Sequence, residues 1–248
     1  MTIGDFAPPG IALLVVSPVI GSFLGVLIRR LPDGRAVAWS RSRCENCDAA
    51  LTARDLVPLA SWAATRGSCR HCGAPLGWFY PGVELAAVAV ALIALAVDGV
   101  PRAAADCLLG WWLLTLGWID VRRWILPDAL TLPLVAVGLG AAALFAQESL
   151  LDRGLGAALG YLVLEAVAWA YRRWRGFEGL GGGDAKLLAA SGAWVGAMAL
   201  PQVIAGAALA GLAAAAVLHL RGVQLHGQSA LPFGPFLALA TWIVWLWQ

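Results

Sequence analysis

Two aspartates, Asp120 and Asp184, and two cysteine pairs, Cys44 with Cys47 and Cys69 with Cys72, are the side chains of this 248-residue chain whose types and surroundings could do chemistry. Two carboxylates sharing one proton are a recognised device for amide hydrolysis. The ionised one takes a proton from water while the neutral one polarises the carbonyl. Apolar surroundings and mutual repulsion would keep one of such a pair protonated near neutral pH. Asp120 follows Gly117-Trp118-Ile119 and leads into Arg122 and Arg123, whereas Asp184 closes the run Gly179-Leu180-Gly181-Gly182-Gly183. Asp184 could instead be a helix N-cap, where a carboxylate accepts orphan backbone N–H bonds and suits the helix dipole. A cap does not need four glycines in the five preceding residues. Such a run permits positive φ and the close approach of another chain, so Gly181, Gly182 and Gly183 are the expected substrate-approach loop. Asp128, after Leu126-Pro127, reads as an ordinary cap for the next helix. No Ser-His-Asp series competes, the three histidines being His71, His219 and His226.

The cysteines read C-x2-C, 21 residues, C-x2-C. Each pair can offer two thiolates at about 2.3 Å to one Zn²⁺, and two such knuckles close a tetrahedron with no open position. Disulfides are the competing reading. A closed site of four cysteines would serve to fold an insert that has few apolar residues of its own. His71 lies between two ligands as a bystander, and Cys107 reads as a small buried apolar residue.

The elements that must position these groups lie in lipid. Hydrophobic residues make up 60% of the chain and charged ones 13%, against roughly 45–50% and about 25% in ordinary soluble domains. Mean hydropathy is +0.77. Charge-free runs cover Phe6 to Ile28, Ala129 to Gln147, Leu187 to Leu220 and Gly222 to Gln248. The third, 34 residues long, overshoots a hydrocarbon core of about 30 Å and is expected to break near Pro201. Val83 to Val97, Ala103 to Ile119 and Gly154 to Ala170 each carry one acid, Glu84, Asp106 and Glu165. The sum is an all-α polytopic membrane protein with eight transmembrane helices. Residues 1–30 hold the first, residues 31–81 form a small cytoplasmic zinc-binding insert between the first and second, and residues 82–248 form a seven-helix core. The first helix reads as a retained anchor, because it lacks a basic flank and is too long for a cleaved signal. With eight crossings, 15 of the 17 basic residues fall on one side, which the positive-inside rule makes cytoplasmic. Both termini are then periplasmic, and the thiols sit in a reducing compartment, which favours zinc over disulfides.

These residues together resemble the type IV prepilin peptidases, bacterial membrane aspartic proteases with a Gly-x-Gly-Asp signature. The resemblance runs through Gly21-Ser22-Phe23-Leu24, Arg29-Arg30-Leu31-Pro32, both cysteine pairs and Tyr80-Pro81-Gly82-Val83-Glu84-Leu85. It continues through Ile119-Asp120, Leu126-Pro127-Asp128, Gly181-Gly182-Gly183-Asp184 and Pro232-Phe233-Gly234-Pro235. It implies that Asp120 and Asp184 are the catalytic pair, at the cytoplasmic face of the inner membrane. The implied partners are type IV prepilins or type II secretion pseudopilins, together with membrane lipid and no nucleic acid. The implied reaction removes a short basic leader just before an apolar helix. Members with the cysteine module are typically bifunctional and methylate the new N-terminal amine with S-adenosylmethionine. Glu45 departs from the family pattern, which has proline after the first cysteine. Glu84 either contributes to methyl transfer or caps the second helix, and Glu165 is expected to pair within the bundle. A peptidase without methyltransferase activity, a transporter or a non-catalytic scaffold are the rival readings. A transporter predicts internal repeats, which the chain does not show.

Overall fold

In lipid a chain must satisfy its backbone polar groups within itself, so apolar runs fold as helices. The computed structural model describes residues 8–37, 41–145, 147–176, 181–223 and 231–248. Contacts divide the chain into two units, residues 1–111 and 112–248. In the first, α1 (Pro8–Arg30) packs on α3 (Phe79–Val97), and the insert between them carries the short α2 (Ala60–Ala64). The two long helices approach closely at Gly21, where a Cβ would lie 2.6 Å from Glu84 Cα. Helix α4 (Gly99–Arg123) begins in this unit and ends in the second.

The second unit adds α5 (Asp128–Phe145), α6 (Leu150–Arg175), α7 (Gly182–Val195), α8 (Leu200–Leu220) and α9 (Gly234–Leu246). Helix α7 is its core: every residue from Leu187 to Val195 is buried, and α5, α6 and α9 pack around it. A Cβ on Gly156 of α6 would sit 2.6 Å from the Gly192 carbonyl oxygen, so α6 and α7 run backbone against backbone. Trp194 Nε1 donates to Leu134 O at 3.0 Å, fixing α7 to α5, and the Ser191 and Thr241 hydroxyls meet at 2.7 Å, fixing it to α9.

Among the described residues, eight helices of 13 residues or more follow the expected apolar segments in order. Six of these described helices, α1, α3, α4, α5, α6 and α8, are long and apolar enough to cross a membrane, two fewer than the eight crossings expected. Helix α7, with 14 residues, and α9, with 13, are shorter, about 20 Å each at 1.5 Å per residue. The 34-residue run breaks at Gly196, whose φ of +84° ends α7, and Pro201 stands in the first turn of α8, where its missing N–H costs nothing. Four helices begin several residues earlier than expected, among them α4 at Gly99 and α7 at Gly182. Helix α3 starts at Phe79 with Pro81 inside its first turn, and α6 starts at Leu150. The last helix begins at Gly234, not Gly222; His226 lies outside the described residues.

Candidate active site and metal centre

Asp120 lies in the last turn of α4 and is 6% exposed. Its Oδ2 accepts a hydrogen bond from the Gly234 N–H at 3.0 Å. Gly234 opens α9 and is followed by Pro235, which suits a helix's first turn. A Cβ on Gly234 would lie 2.7 Å from Oδ2 and 3.0 Å from Cγ of Asp120, so only glycine can bring its amide to this carboxylate. The Pro232-Phe233-Gly234-Pro235 motif thus holds the Asp120 carboxylate, a role the sequence reading missed. The available signal was a glycine between an aromatic residue and a proline at a helix start. We expect Gly234→Ala to lower peptide cleavage on the order of 10²-fold, as displacement of a reacting group by about an ångström does. An unchanged thermal unfolding profile would accompany this loss, and normal cleavage by the variant would show that the contact does not matter.

Asp184 is 9% exposed and occupies the first turn of α7, with Gly181 as the N-cap and its own N–H donating to Gly181 O at 3.1 Å. The N-cap reading of Asp184 is therefore replaced by an inner first-turn position. Gly183 beside it packs against Leu126, in the turn that follows Asp120, and α7 packs on α9, whose first residue Gly234 bonds Asp120. The three glycines before it do not use positive φ as expected. Gly183 is required by packing, since its Cβ would fall 2.9 Å from Leu126 Cβ, and Gly182 faces open space. Gly179 lies outside the described residues.

Asp128, expected as a cap, is instead the first residue of α5, following Pro127, whose carbonyl accepts the Leu130 and Thr131 N–H groups. Its Oδ1 accepts from Lys186 Nζ at 2.6 Å, tying the start of α5 to the helix that bears Asp184. Glu165 pairs with Arg172 at 3.3 Å on the half-exposed face of α6, and Cys107 is fully buried.

In the insert, two knuckles repeat one another. Cys44 N–H donates to Ala49 O at 3.0 Å and Cys69 N–H to Ala74 O at 2.8 Å, while antiparallel bridges Arg43–Ala50 and Ser68–Pro75 frame the two loops. Positive φ falls at the same step of each, Asp48 at 54° and Gly73 at 70°. The knuckles face each other so that the four Sγ atoms lie within 4.8 Å of one another, with Cys44 and Cys72 at 3.9 Å. Four thiolates at about 2.3 Å from one ion would be separated by about 3.8 Å, so the cluster fits a tetrahedral metal. All four thiols are free, and His71 is outside the group. Backbone N–H groups of Cys47 and Asn46 draw the Cys44 thiol down to about 6. The Ala74 amide and Asn46 side chain likewise lower Cys72. Cys47 receives the Ala49 amide, yet burial and the adjoining sulfurs push it up to about 11. Sulfurs this close cannot all ionise unless a cation joins them.

Struts join the knuckles to the helices. Asp55 takes the Thr52 N–H at 3.0 Å and hydroxyl at 2.7 Å and pairs with Arg70 at 2.9 Å; these contacts hold its carboxyl below the usual range. Glu45 forms an ion pair with Arg29 at the end of α1, whose guanidinium also lies 4.7 Å from the Phe79 ring centroid. The departure at Glu45 therefore anchors the first knuckle to α1. Glu84, 5% exposed, accepts the Leu59 N–H at 2.8 Å; it does not cap α3, whose N-cap is Trp78.

Residues 15–97 match the model of the bacterial peptidase A24 N-terminal domain, and residues 107–216 match that of the type IV leader peptidase family. A prepilin leader peptidase/N-methyltransferase of Burkholderia pseudomallei (strain 1026b) is 42% identical over 261 residues, covering 93% of this chain and 84% of that protein. One from Aeromonas hydrophila is 41% identical, covering 95% and 89%, and one from Pseudomonas aeruginosa 36%, covering 94% and 89%. No solved structure gives a significant match. With both domain models matched in order and such identity along nearly its whole length, the chain belongs to the type IV leader peptidase family.

Proposed function

We propose that this chain is a membrane aspartic endopeptidase that removes the leader of type IV prepilins or type II secretion pseudopilins, then methylates the exposed N-terminal amine. The observation that carries the reading is that two buried carboxylates, Asp120 at the end of α4 and Asp184 at the start of α7, flank the contact of Leu126 with Gly183. One carboxylate accepts a proton from water as the water attacks the scissile carbonyl. The other, protonated, donates to the carbonyl oxygen, and the proton then passes to the leaving amine. Gly234 holds Asp120 by a hydrogen bond from its amide N–H, and Gly182 faces open space two residues before Asp184, where an extended peptide could lie.

The chain lies in the bacterial inner membrane with eight crossings, both termini periplasmic and both acids at the cytoplasmic face. Zn²⁺ occupies the Cys44, Cys47, Cys69 and Cys72 cluster as a structural ion, and S-adenosylmethionine supplies the methyl group. Residues 31–81 are the zinc insert, and residues 82–248 form the membrane core that carries the acids. Co-expression with a prepilin, followed by mass measurement of the product's N-terminus, tests both steps: leader loss and the added mass of one methyl group are expected. An uncut product would refute the peptidase, and a cut but unmethylated one would reduce the protein to a peptidase alone.

The two activities are expected to separate by mutation, because the cysteine module lies in the first unit and both aspartates in the second. An amine attacks a methyl group with its own lone pair, so the dyad has no part in that step. Asp120→Asn should transfer labelled methyl from S-adenosylmethionine to a synthetic mature pilin N-terminus at a rate within about threefold of the wild type, while failing to cut prepilin. Loss of both activities in this variant would mean that the acids serve both reactions.

A further inference from the structure

The insert and the adjoining ends of α1 and α3 enclose a cavity of about 900 Å³, within the roughly 300–1,000 Å³ of small-molecule sites. Six arginines and four acids line it, together with the rings of Trp62 and Tyr80. Of the arginines, Arg29, Arg35, Arg43 and Arg70 each pair with an acid. Arg41 has no ion-pair partner among the described residues, so it is a cation available to a bound anion. Glu84 lies at the membrane end, where α3 begins, and is nearly buried. Its carboxylate holds the Leu59 N–H at 2.8 Å, and Leu59 stands at φ +58°. A bulky residue in the left-handed region is costly and persists where surrounding structure imposes it.

We propose that this cavity is the methyl-donor site, and that Glu84 receives the pilin's new N-terminal ammonium beside the donor. The proposal rests on the methyltransferase reading above. S-adenosylmethionine carries a carboxylate, an adenine ring and a sulfonium. Arg41 matches the carboxylate, and the adenine can lie against the wall made by Trp62, itself packed on Trp78 with ring centroids 4.3 Å apart, and Tyr80, which carries the Arg29 guanidinium 5.1 Å from its ring. A substrate held by a membrane helix ends at the depth of Glu84, whereas the polar donor enters from the insert. Glu84 takes one proton from the ammonium. The freed lone pair forms the N–C bond as the S–C bond breaks, and that electron pair stays on sulfur, leaving a neutral thioether.

The test uses the full chain in detergent with its zinc content measured in every variant. Calorimetric titration with S-adenosylhomocysteine is expected to show Arg41→Ala binding at least tenfold more weakly, with partial recovery in Arg41→Lys and one equivalent of zinc retained. Ultraviolet cross-linking of labelled S-adenosylmethionine should place the label in peptides from residues 41–84. Glu84→Gln should slow methylation of a precut peptide at least a hundredfold and move the acidic limb of its pH–rate profile up to the titration of the peptide's own amine. Label confined to residues 112–248, or Arg41→Ala binding within twofold of the wild type with zinc intact, would overturn the location. Glu84→Gln methylating at the wild-type rate would overturn the role of Glu84. A wild type that methylates but labels elsewhere loses only this site; one that neither binds nor methylates loses the methyltransferase reading with it.

Discussion

Asp120→Asn and Asp184→Asn are each expected to lower leader cleavage on the order of 10⁴-fold or more, because groups that act as one unit fail together when either is removed. An amide in place of either carboxylate can neither take the proton from water nor pass one to the leaving amine. The effect should appear in the rate of the bound complex, with substrate affinity little changed, since neither substitution alters the volume of the site. Each variant should still insert and unfold like the parent, as both acids lie at helix ends and not amid the apolar packing of α7. Asp128→Asn is the informative comparison. Its oxygen can still accept from Lys186, which now contacts it at 2.6 Å, so a loss of about tenfold or less is expected. Cleavage by either single variant within tenfold of the parent would refute the dyad.

Replacing a cysteine ligand should have the largest structural effect in the chain. Metal affinity in zinc-finger peptides, about 10–16 kcal/mol, appears directly as folding energy, and this insert has no other core: among residues 41–78 only Cys44 and Cys69 are buried. Cys69→Ser is expected to bind less than a tenth of the one equivalent of zinc found in the parent. Amides of the two knuckles should lose hydrogen-exchange protection, whereas α7 and its neighbours keep theirs. Methylation should fall further than cleavage. Parent protein that contains no zinc and shows a disulfide by mass spectrometry would overturn both the metal and the cytoplasmic placement of the insert.

The helices were legible because charge-free runs leave lipid-exposed chain little alternative to helix, and the cysteine cluster because four ligands at fixed spacing imply one ion. What was not legible depends on contacts between residues distant in sequence. Nothing local to Asp120 announces that Gly234, 114 positions later, supplies its hydrogen bond. Asp128 looked like a cap because caps are local; its partner Lys186 is 58 residues away. The glycines before Asp184 suggested an unusual backbone, yet the three described, Gly181, Gly182 and Gly183, keep ordinary φ, and Gly183 exists to admit Leu126. Helix ends were misjudged where charged residues such as Asp152 continue a helix beyond its apolar stretch, because charge marks the limit of lipid and not of hydrogen bonding.

The backbone contact between α6 and α7 has a consequence for genetics. Gly156 and Gly160 of α6 and Gly192 of α7 are each so close to the facing main chain that a single added carbon would collide with it. A screen for loss of cleavage would therefore recover these three positions as readily as the aspartates, and even alanine would be scored as a null allele. None of them carries a reactive group. Essentiality along this interface reports the fixed placement of the helix that bears Asp184, and a map of intolerant positions would outline a scaffold larger than the chemistry it supports.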